Sequence, residues 1–331
     1  MSIDIAIKFG SNEIIIYRKG FGIIAKEPAY LAIEEDLKKM KVKAIGKDAE
    51  KLFFSQSSSV VVYQPILNSA IENEKMAVIL MSEILKKLVL NKFLIHKINA
   101  LVAVPSGLNE EQLLLLKRVL YKSGISNVTF VYNSVCARNA LEIDSHSYTM
   151  VVDIGKNITD ISILNDYNFA FGRMYFLGGC DMDKSITTFV MDNKDLAITD
   201  RDSEKIKNEV ASLYENDNYR TDFVGQDDKG KFVKDTISAN EVRVAITNVY
   251  DAIFKFVLDI LKSTSKEICT DIYNNGIMFV GGSSKISGLY EYAKNKLDLP
   301  IIIPDDPSDA VILGAGKLLN KNKDFLTLKL K

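Results

Sequence analysis

Apolar and polar residues alternate along the first thirty positions in the way that β-strands require. The segments IDIAIKF, EIIIYRKG and FGIIAKEPAYLAI each carry this alternation, and glycines mark the turns between them. The pattern predicts a three-stranded meander at the start of the chain. A polar, mixed region follows over residues 31–65, within which DLKKM (36–40) is typical of a short helix.

From Glu72 to Leu90 the apolar positions take up a helical period, with one apolar face. A buried strand INALVAVPSG, a helix NEEQLLLLKRVLYKSG, a strand NVTFVYN and a helix SVCARNALEI follow in order. The first of these helices has acidic residues at its start, in NEEQ, and a glycine just after its end, in KSG. Both are typical of helix boundaries. This part of the chain therefore has an α/β pattern.

Residues 147–178 repeat the opening pattern of the chain. SYTMVVDIG, ITDISIL and FAFGRMYFLGG form a second three-stranded meander, and both meanders begin with an apolar strand and a glycine-containing corner, FGSN and IGKN. The repeat predicts two related α/β halves that face each other across a cleft.

The rest of the chain alternates helices with short strands. The patterns predict helices in DMDKSITTFVMD and SEKIKNEVASLYEN, a hairpin over 219–237 and a long helix from about 240 to 264. The strand GIMFVGG then leads through a glycine corner into the helix of SSKISGLYEYAKNKL. A strand, a turn and a helix in IIIPDDPSDAVILGAGKLL complete the pattern.

Composition narrows the classes of partner. The 331 residues contain 42 Lys+Arg and 43 Asp+Glu, so no global field attracts nucleic acid, and no direct nucleic-acid partner is expected. Three widely spaced cysteines and two histidines argue against a zinc site and favour a reducing compartment. With no signal-peptide pattern and no apolar run near the roughly 18 residues of a membrane span, a cytoplasmic location is expected.

Three glycine corners carry the candidate chemistry. FGSN and IGKN each join two strands, and GGSSKISG precedes a helix. Small residues at such corners let backbone N–H groups approach a phosphate or the flat face of a base. Each corner alone is a common feature, but three in order on duplicated halves indicate a nucleotide site.

The order of these motifs resembles the actin-like ATPase superfamily, and within it the MreB family of bacterial actins. The resemblance covers about residues 3–320 with few gaps. Its motifs are KGFGIIAKEPAYLAI, AIGKDAEKL, LVAVPSGLNEEQ, MVVDIGKNITDISIL, YFLGGCDMD, SEKIKNEVASLY, FVGGSSKISGL and IPDDPSDAVILGAGKLL.

This resemblance implies an α/β, actin-like ATPase fold. Two duplicated α/β domains, each with a small inserted subdomain, would surround a central nucleotide cleft. The large subdomains would be 1–31 with 66–145 and 308–331 (IA), and 146–181 with 246–307 (IIA). The small ones would be 32–65 (IB) and 182–245 (IIB).

The same resemblance implies that ATP or ADP is the ligand. The residues expected to hold it are Lys8, Gly10, Ser11 and Asn12 in the first loop, Asp153, Gly155, Lys156, Asn157 and Thr159 in the second, the pair Gly178 and Gly179, Lys207 and Glu209 on the nucleoside-facing helix, and Gly281, Gly282 and Ser283 in the adenosine loop.

The phosphate side departs from the family pattern. Lys8 stands where the family has a magnesium-organising aspartate, and an ammonium cannot ligate a cation. Asp153 remains as a possible metal ligand, but magnesium binding is expected to be weak or absent. The family's catalytic glutamate aligns with Tyr132 or Asn133, neither of which is a carboxylate base, so no catalytic residue is assigned.

Three interpretations of these replacements stay open. The favoured one is a cleft that binds nucleotide, weakly or without efficient hydrolysis, with Lys8 and Lys156 supplying charge beside the phosphates. The second is hydrolysis by altered means. The third is that Lys8, Lys156 and Asn157 are ordinary turn residues of a site that has decayed.

Resemblance to the MreB family also implies partners. We expect self-association into filaments, with cell-shape or wall-synthesis proteins as further partners. The segment NKFLIHKIN carries Phe93, Leu94 and Ile95 between basic flanks, which suits an interfacial wedge at the inner membrane face. The alternative is that these three side chains cover the end of the preceding helix.

Other functions of the superfamily remain alternatives. A filament that positions a plasmid or an organelle would have the same fold with another cargo. A small-molecule kinase would need a carboxylate base in the cleft, which the residues at Lys8, Tyr132 and Asn133 do not supply. A chaperone ATPase would need a peptide-binding domain after the core.

Overall fold

The fold is described by a computed structural model that covers residues 2–10, 12–36, 39–53, 60–88, 97–140, 146–166, 168–320 and 327. Its strands are, in chain order, β1 Ser2–Phe9, β2 Glu13–Arg18, β3 Gly22–Pro28, β4 Leu31–Asp36, β5 Lys39–Ile45, β6 Val60–Tyr63, β7 Ile66–Leu67, β8 Ala70–Ile71, β9 Lys97–Val104, β10 Asn127–Tyr132, β11 Thr149–Ile154, β12 Thr159–Leu164, β13 Phe169–Tyr175, β14 Arg220–Gln226, β15 Phe232–Ser238, β16 Ile277–Val280 and β17 Ile301–Ile302.

Helices connect and cover these strands. They are α1 Lys47–Phe53, α2 Glu74–Leu88, α3 Glu110–Lys122, α4 Asn133–Asn139, α5 Gly179–Lys194, α6 Asp200–Val210, α7 Ala239–Ser263, α8 Lys266–Asn275, α9 Leu289–Leu297 and α10 Ala310–Asn320, with a short 3-10 helix at Gly282–Lys285. The long helix expected at 240–264 is therefore present as α7, and Ser238 caps its start through a capping box with Glu241.

The chain forms two compact units. Unit 1 comprises residues 1–146, 164–173 and 309–331, and unit 2 comprises 147–163 and 174–308. The large sheet of unit 1 has the order β10-β9-β1-β2-β3. In it β1 pairs in parallel with β9 and antiparallel with β2, as a meander joined to an α/β crossover requires.

The second large sheet repeats this order. It runs β13-β12-β11-β16-β17, with β11 parallel to β16 and β16 parallel to β17. Reading both sheets from the last strand of the meander, β3-β2-β1-β9-β10 corresponds to β13-β12-β11-β16-β17. In each sheet the first strand of the meander, β1 or β11, therefore lies beside a strand that follows a helix, β9 or β16. The predicted duplication is confirmed by this shared order.

Helix α10 completes the core of unit 1. It packs on β1, β2, β9 and α4. A Cβ atom at Gly314 would lie 1.8 Å from the Cys136 carbonyl oxygen, so only glycine allows α10 to approach α4 this closely. Lys26 in β3 holds the start of α10 through Asp309, with an N–O distance of 2.7 Å.

The prediction of a short helix at 36–40 is wrong for the residues of that stretch that the structure describes. Asp36 ends β4 and Lys39 and Met40 begin β5, and this antiparallel pair forms a three-stranded sheet of order β5-β4-β6 with β6. The lysines of KMKVKAI recur at every second position, which is the period of a strand with one polar face. Lys43 pairs with Glu34 across the strands at 2.9 Å.

Candidate functional site

A hairpin between β11 and β12 forms the centre of the candidate site in unit 2. All six residues of each strand are buried, and the N–H of Gly155 donates to the carbonyl oxygen of Ile158 at 2.9 Å to close the turn. Asp153 is buried near the end of β11. Among the described residues, none accepts a hydrogen bond from the backbone N–H of Asn157 at the tip. This N–H group is therefore a donor available to an anion.

The start of α5 packs directly on this turn. The N–H of Gly179 donates to the carbonyl oxygen of Gly155 at 3.0 Å, and the N–H of Cys180 donates to that of Lys156 at 2.7 Å. A Cβ atom at Gly178 would lie 2.7 Å from the Gly155 carbonyl oxygen. Gly178 is therefore required by a backbone-to-backbone contact within the protein, whereas a Cβ atom at Gly179 would first meet the side-chain ends of Ser283 at 3.0 Å and Lys207 at 3.3 Å.

Two polar side chains of the hairpin make contacts within the protein. The hydroxyl of Thr159 donates to the carbonyl oxygen of Leu177 at 2.8 Å, and Thr159 is completely buried. The Sγ of Cys180 donates to the Oδ1 of Asn157 at 3.1 Å. Both contacts fix the hairpin to the turn that precedes α5 and to the first residues of that helix.

Helix α6 brings two charged side chains to the same place. Thr199 begins this helix through a capping box with Asp202. Glu204 and Lys207 are three residues apart, which puts them on one face of the helix. Glu209 lies further round the helix, is exposed, and accepts a hydrogen bond from the hydroxyl of Thr221 instead.

The ammonium of Lys207 lies inside the protein. Its Nζ is 2.7 Å from the Oδ1 of Asp183 on α5 and donates to the carbonyl oxygen of Gly179 at 2.9 Å. The side chains of Lys207 and Asp183 are only 11% and 7% exposed. Burial raises the pKa of the Asp183 carboxyl, and the neighbouring Lys207 charge opposes that rise.

The ammonium of Lys156 points from the hairpin tip to α6. Its Nζ donates to both carboxylate oxygens of Glu204, at 3.1 and 3.2 Å. The pKa of the nearby Cys180 thiol is raised, because burial disfavours the thiolate more than the Lys156 charge favours it. Two lysine–carboxylate pairs therefore flank the start of α5.

The third glycine corner closes over the end of β11. Gly281 has a φ of +92°, and a Cβ atom there would lie 2.6 Å from the Oδ1 of Asp153 and 2.4 Å from the carbonyl oxygen of Ile154. Only glycine combines this left-handed backbone with so close an approach. The Asp153 carboxylate is thus packed against the adenosine-loop motif.

Ser283 links this corner to the hairpin turn. Its hydroxyl donates to the carbonyl oxygen of Gly155 at 3.3 Å, and its own carbonyl oxygen accepts from the buried hydroxyl of Tyr250 at 2.6 Å. Burial raises the pKa of the Tyr250 phenol, so this hydroxyl remains a donor. The carbonyl oxygen of Gly155 is therefore the point at which all three parts of the unit 2 site meet.

Gly282 differs from these packed glycines. A Cβ atom there would meet no atom within 4 Å, and its φ lies outside the left-handed region. Neither internal packing nor backbone conformation requires glycine at this position. A bare backbone beside open space fits a flat ligand group that lies against it.

The structure also shows what surrounds the expected metal ligand. Within the parts of the chain that the structure describes, no group of three or more His, Cys, Asp or Glu side chains is placed to hold a metal ion. Asp153, the expected carboxylate ligand, is packed against Gly281.

The first loop belongs to unit 1. Lys8 is half-buried in β1, opposite Ile15 of β2 and Ala103 of β9. The N–H of Gly10 donates to the carbonyl oxygen of Glu13 at 3.1 Å, which forms the tight turn that the glycine predicted. Asn12 is exposed, and Ser11 lies outside the described residues.

Tyr132 and Asn133, which align with the catalytic glutamate expected from the family, lie at the junction of β10 and α4. Tyr132 ends β10, and its ring stacks on Phe169 with 4.2 Å between centroids. Asn133 is buried as the first residue of α4. Phe93, Leu94 and Ile95 lie outside the described residues, and within those residues no helix combines the length and apolarity needed to cross a bilayer.

Sequence reasoning missed Glu204 and Asp183. The i, i+3 spacing of Glu204 and Lys207 was the available signal for the first, because it places both on one helix face. No local pattern marks Asp183 as the partner of Lys207, since the two are on different helices.

Comparison with known proteins gives consistent matches over nearly the whole chain. A family model described as MreB/Mbl protein matches residues 2–327. The cell shape-determining protein Mbl of Bacillus subtilis (strain 168) is 27% identical over 327 residues, which cover 98% of this chain and 97% of that protein. The cell shape-determining protein MreB of Escherichia coli (strain K12) is 25% identical over 322 residues, covering 96% and 93%.

Solved structures match equally far along the chain. MreB5 of Spiroplasma citri bound to ADP superposes with a TM-score of 0.87 at 24% identity, covering 96% of each chain. The MamK double helical filament superposes with a TM-score of 0.82 at 17% identity, covering 98% of this chain and 100% of the other.

Proposed function

Because the chain belongs to the MreB/Mbl family, we propose that it polymerises into cytoskeletal filaments that determine cell shape. The observation that carries this proposal is the family match over residues 2–327, on a chain whose two five-stranded sheets share one strand order. The fold is the actin-like fold that the motif order predicted. Its curated relatives Mbl and MreB are cell shape-determining proteins.

The test of this proposal is polymer formation by the purified full chain. We expect sedimentable filaments by high-speed pelleting and negative-stain electron microscopy, and loss of normal cell shape when the gene is depleted. A protein that stays monomeric with ADP, with AMPPNP and without nucleotide would contradict the proposal. Filaments accompanied by normal shape but a misplaced plasmid or organelle would favour the positioning alternative.

The ligand proposed for unit 2 is ATP or ADP. Support comes from the bare backbone at Gly282, the available N–H of Asn157 and the glycine contacts that bring the three motifs to the Gly155 carbonyl. The Spiroplasma citri relative has been solved bound to ADP and bound to AMPPNP. Lys8, Gly10, Ser11 and Asn12 of the first loop stay predicted nucleotide contacts.

Hydrolysis is proposed to be inefficient. Lys8 has no oxygen with which to hold magnesium, and neither Tyr132 nor Asn133 can accept a proton as a carboxylate does. Loss of a general base alone costs about 10²- to 10⁴-fold in rate. A binding titration with fluorescent ADP, paired with a phosphate-release assay, tests both parts: binding with turnover typical of the family would contradict the second.

We also propose contact with the inner membrane face and with cell-shape or wall-synthesis proteins. The support for membrane contact is the apolar triplet Phe93, Leu94 and Ile95 between basic residues. Replacement of all three by serine should abolish co-sedimentation with anionic liposomes and leave filament formation intact. Unchanged liposome binding would exclude this segment as the anchor.

A further inference from the structure

The turn between β2 and β3 carries a large aromatic side chain that the core does not use. Phe21 is 67% exposed, the highest value among the exposed large hydrophobic residues described in unit 1. Its N–H donates to the carbonyl oxygen of Arg18 at 2.9 Å, and Gly20 and Gly22 on either side have φ values of +81° and +83°. The glycines and this hydrogen bond form the turn, so the Phe21 ring is not needed to build it.

Three basic side chains lie at the same end of the sheet as this ring. The guanidinium of Arg18 lies over the Phe21 ring, 4.2 Å from its centroid. Lys19 follows in the turn, and its N–H donates at 3.0 Å to the carbonyl oxygen of the third residue of β1. The first residue of β1 in turn pairs with Lys97, the first residue of β9. We call Arg18, Lys19 and Lys97, together with the Phe21 ring, the basic end of the sheet.

The cations of the basic end are not neutralised by carboxylates. Within the part of the chain that the structure describes, none of Arg18, Lys19 and Lys97 takes part in an ion pair. The single acidic residue of β1, Asp4, accepts a hydrogen bond from the side-chain amide of Asn99 at 2.7 Å instead. Lys19 and Lys97 are also exposed. The basic end therefore presents uncompensated positive charge beside an exposed apolar ring.

This combination fits the surface of a lipid bilayer. Aromatic and aliphatic side chains insert at the boundary between headgroups and acyl chains, while lysine and arginine stay with the anionic headgroups. Protein interfaces are instead depleted in lysine and have an apolar core made by several residues. Phe21 is the one exposed large hydrophobic residue described between Ser2 and Pro28. A single ring among cations therefore fits a lipid surface better than it fits a protein partner.

We propose that the basic end is a contact site for anionic lipid membranes, in which the Phe21 ring enters the headgroup region and the three cations bind lipid phosphates. This inference rests on the proposed membrane contact, and it assigns part of that contact to residues other than Phe93, Leu94 and Ile95. In the sequence, the segment that carries this triplet leads directly into β9, whose first residue belongs to the basic end.

The first experiment uses the absence of tryptophan from the sequence. Phe21→Trp gives the full chain a single indole at the turn. Phe232→Trp is the matched control, because Phe232 is 74% exposed at the start of β15 in unit 2. On vesicles of phosphatidylglycerol and phosphatidylcholine, we expect the emission of Phe21→Trp to shift to shorter wavelength and to be quenched by brominated acyl chains. The emission of Phe232→Trp should not change.

The second experiment measures affinity for the same vesicles by co-sedimentation. Phe21→Ser should weaken binding about 5- to 30-fold, which corresponds to transfer of two thirds of a phenylalanine side chain out of water. Lys19→Gln should weaken it about fivefold at low salt, and less at high salt because salt screens the attraction. Phe232→Ser should bind like the wild type. All three side chains are exposed, so the melting temperature should stay unchanged.

The outcomes separate this inference from the membrane contact on which it rests. An unshifted emission from Phe21→Trp on vesicles that do bind the protein would overturn the inference. A shift that appears on filament formation without lipid would also overturn it, because a second copy would then cover the turn. If replacement of Phe93, Leu94 and Ile95 by serine abolishes vesicle binding and Phe21→Ser does not weaken it, the proposed anchor stands and this inference fails. If the wild-type protein does not bind the vesicles at all, both fail.

Discussion

Lys207 is the side chain whose loss should destabilise unit 2 most clearly. In Lys207→Met the aliphatic stem is largely retained, but the Asp183 carboxylate, 7% exposed, loses the ammonium that lies 2.7 Å away. The carbonyl oxygen of Gly179 loses its donor at the same time. Removing one partner of a buried ion pair typically costs about 3–5 kcal/mol, because the other charge stays buried and uncompensated.

The melting temperature should fall accordingly. In a body of the size of unit 2, 1 kcal/mol corresponds to about 2–4 °C, so a fall of about 6–20 °C is expected. Lys205→Met, which alters an exposed lysine on the same helix, should stay within about 0.5 kcal/mol of the wild type. Urea titration followed by circular dichroism measures the free energy of unfolding, and differential scanning calorimetry measures the melting temperature.

The pH dependence gives an independent readout. Burial holds the folded-state pKa of Asp183 above its ordinary 3.8, so the folded protein binds more protons than the unfolded chain in the window above pH 3.8. Stability contributed by this group is therefore lost as pH rises through that window. Loss of Lys207 raises the folded pKa further, so the deficit of Lys207→Met should be smallest near pH 4 and grow as the pH rises.

The double variant Asp183→Asn/Lys207→Met completes the cycle. It removes both charges, and it should recover part of the stability that Lys207→Met loses. A loss below about 1 kcal/mol for Lys207→Met, with no coupling to Asp183→Asn, would refute the view that these two groups form a buried pair on which the start of α5 depends.

Three further predictions concern packing, capping and reactivity. Gly178→Ala places a Cβ atom 2.7 Å from the Gly155 carbonyl oxygen and should cost about 1–3 kcal/mol of unfolding free energy, so an unchanged melting temperature would contradict the close contact. Ser238→Ala removes the cap of α7 and should cost about 1 kcal/mol by urea titration, whereas Ser238→Asp should retain most of that stability. Cys136 is completely buried and burial raises the pKa of its thiol, so it should resist a disulfide reagent until urea unfolds the protein. Rapid labelling of Cys136 in the native state would mean that α4 is accessible.

Much of the fold followed from periodicity alone. The opening meander, the buried strands β11 and β12 and the long helix α7 have uninterrupted patterns, so local sequence and final structure agree. The helix prediction at 36–40 was wrong because DLKKM contains good helix formers. The pairing of β4 with β5 outweighs that local propensity.

The candidate site was less accessible to sequence reasoning. Glycine at 178 and 281 could be predicted by type, because backbone approach requires it whatever the partner. The partner of Lys156 could not be predicted, because Glu204 is 48 positions away and the contact depends on how α6 packs against the hairpin. Side-chain pairing between distant elements is decided by packing, which a single sequence does not encode locally.

The docking of α10 has a consequence for synthesis on the ribosome. Unit 2 is built from residues that all precede 309, whereas unit 1 needs α10, whose Gly314 fits against the Cys136 carbonyl. The nascent chain therefore carries an open apolar surface on β1, β9 and α4 until α10 emerges. The N-terminal part is made first but completed last, and during that interval it is the natural substrate for a chaperone that binds exposed apolar strands.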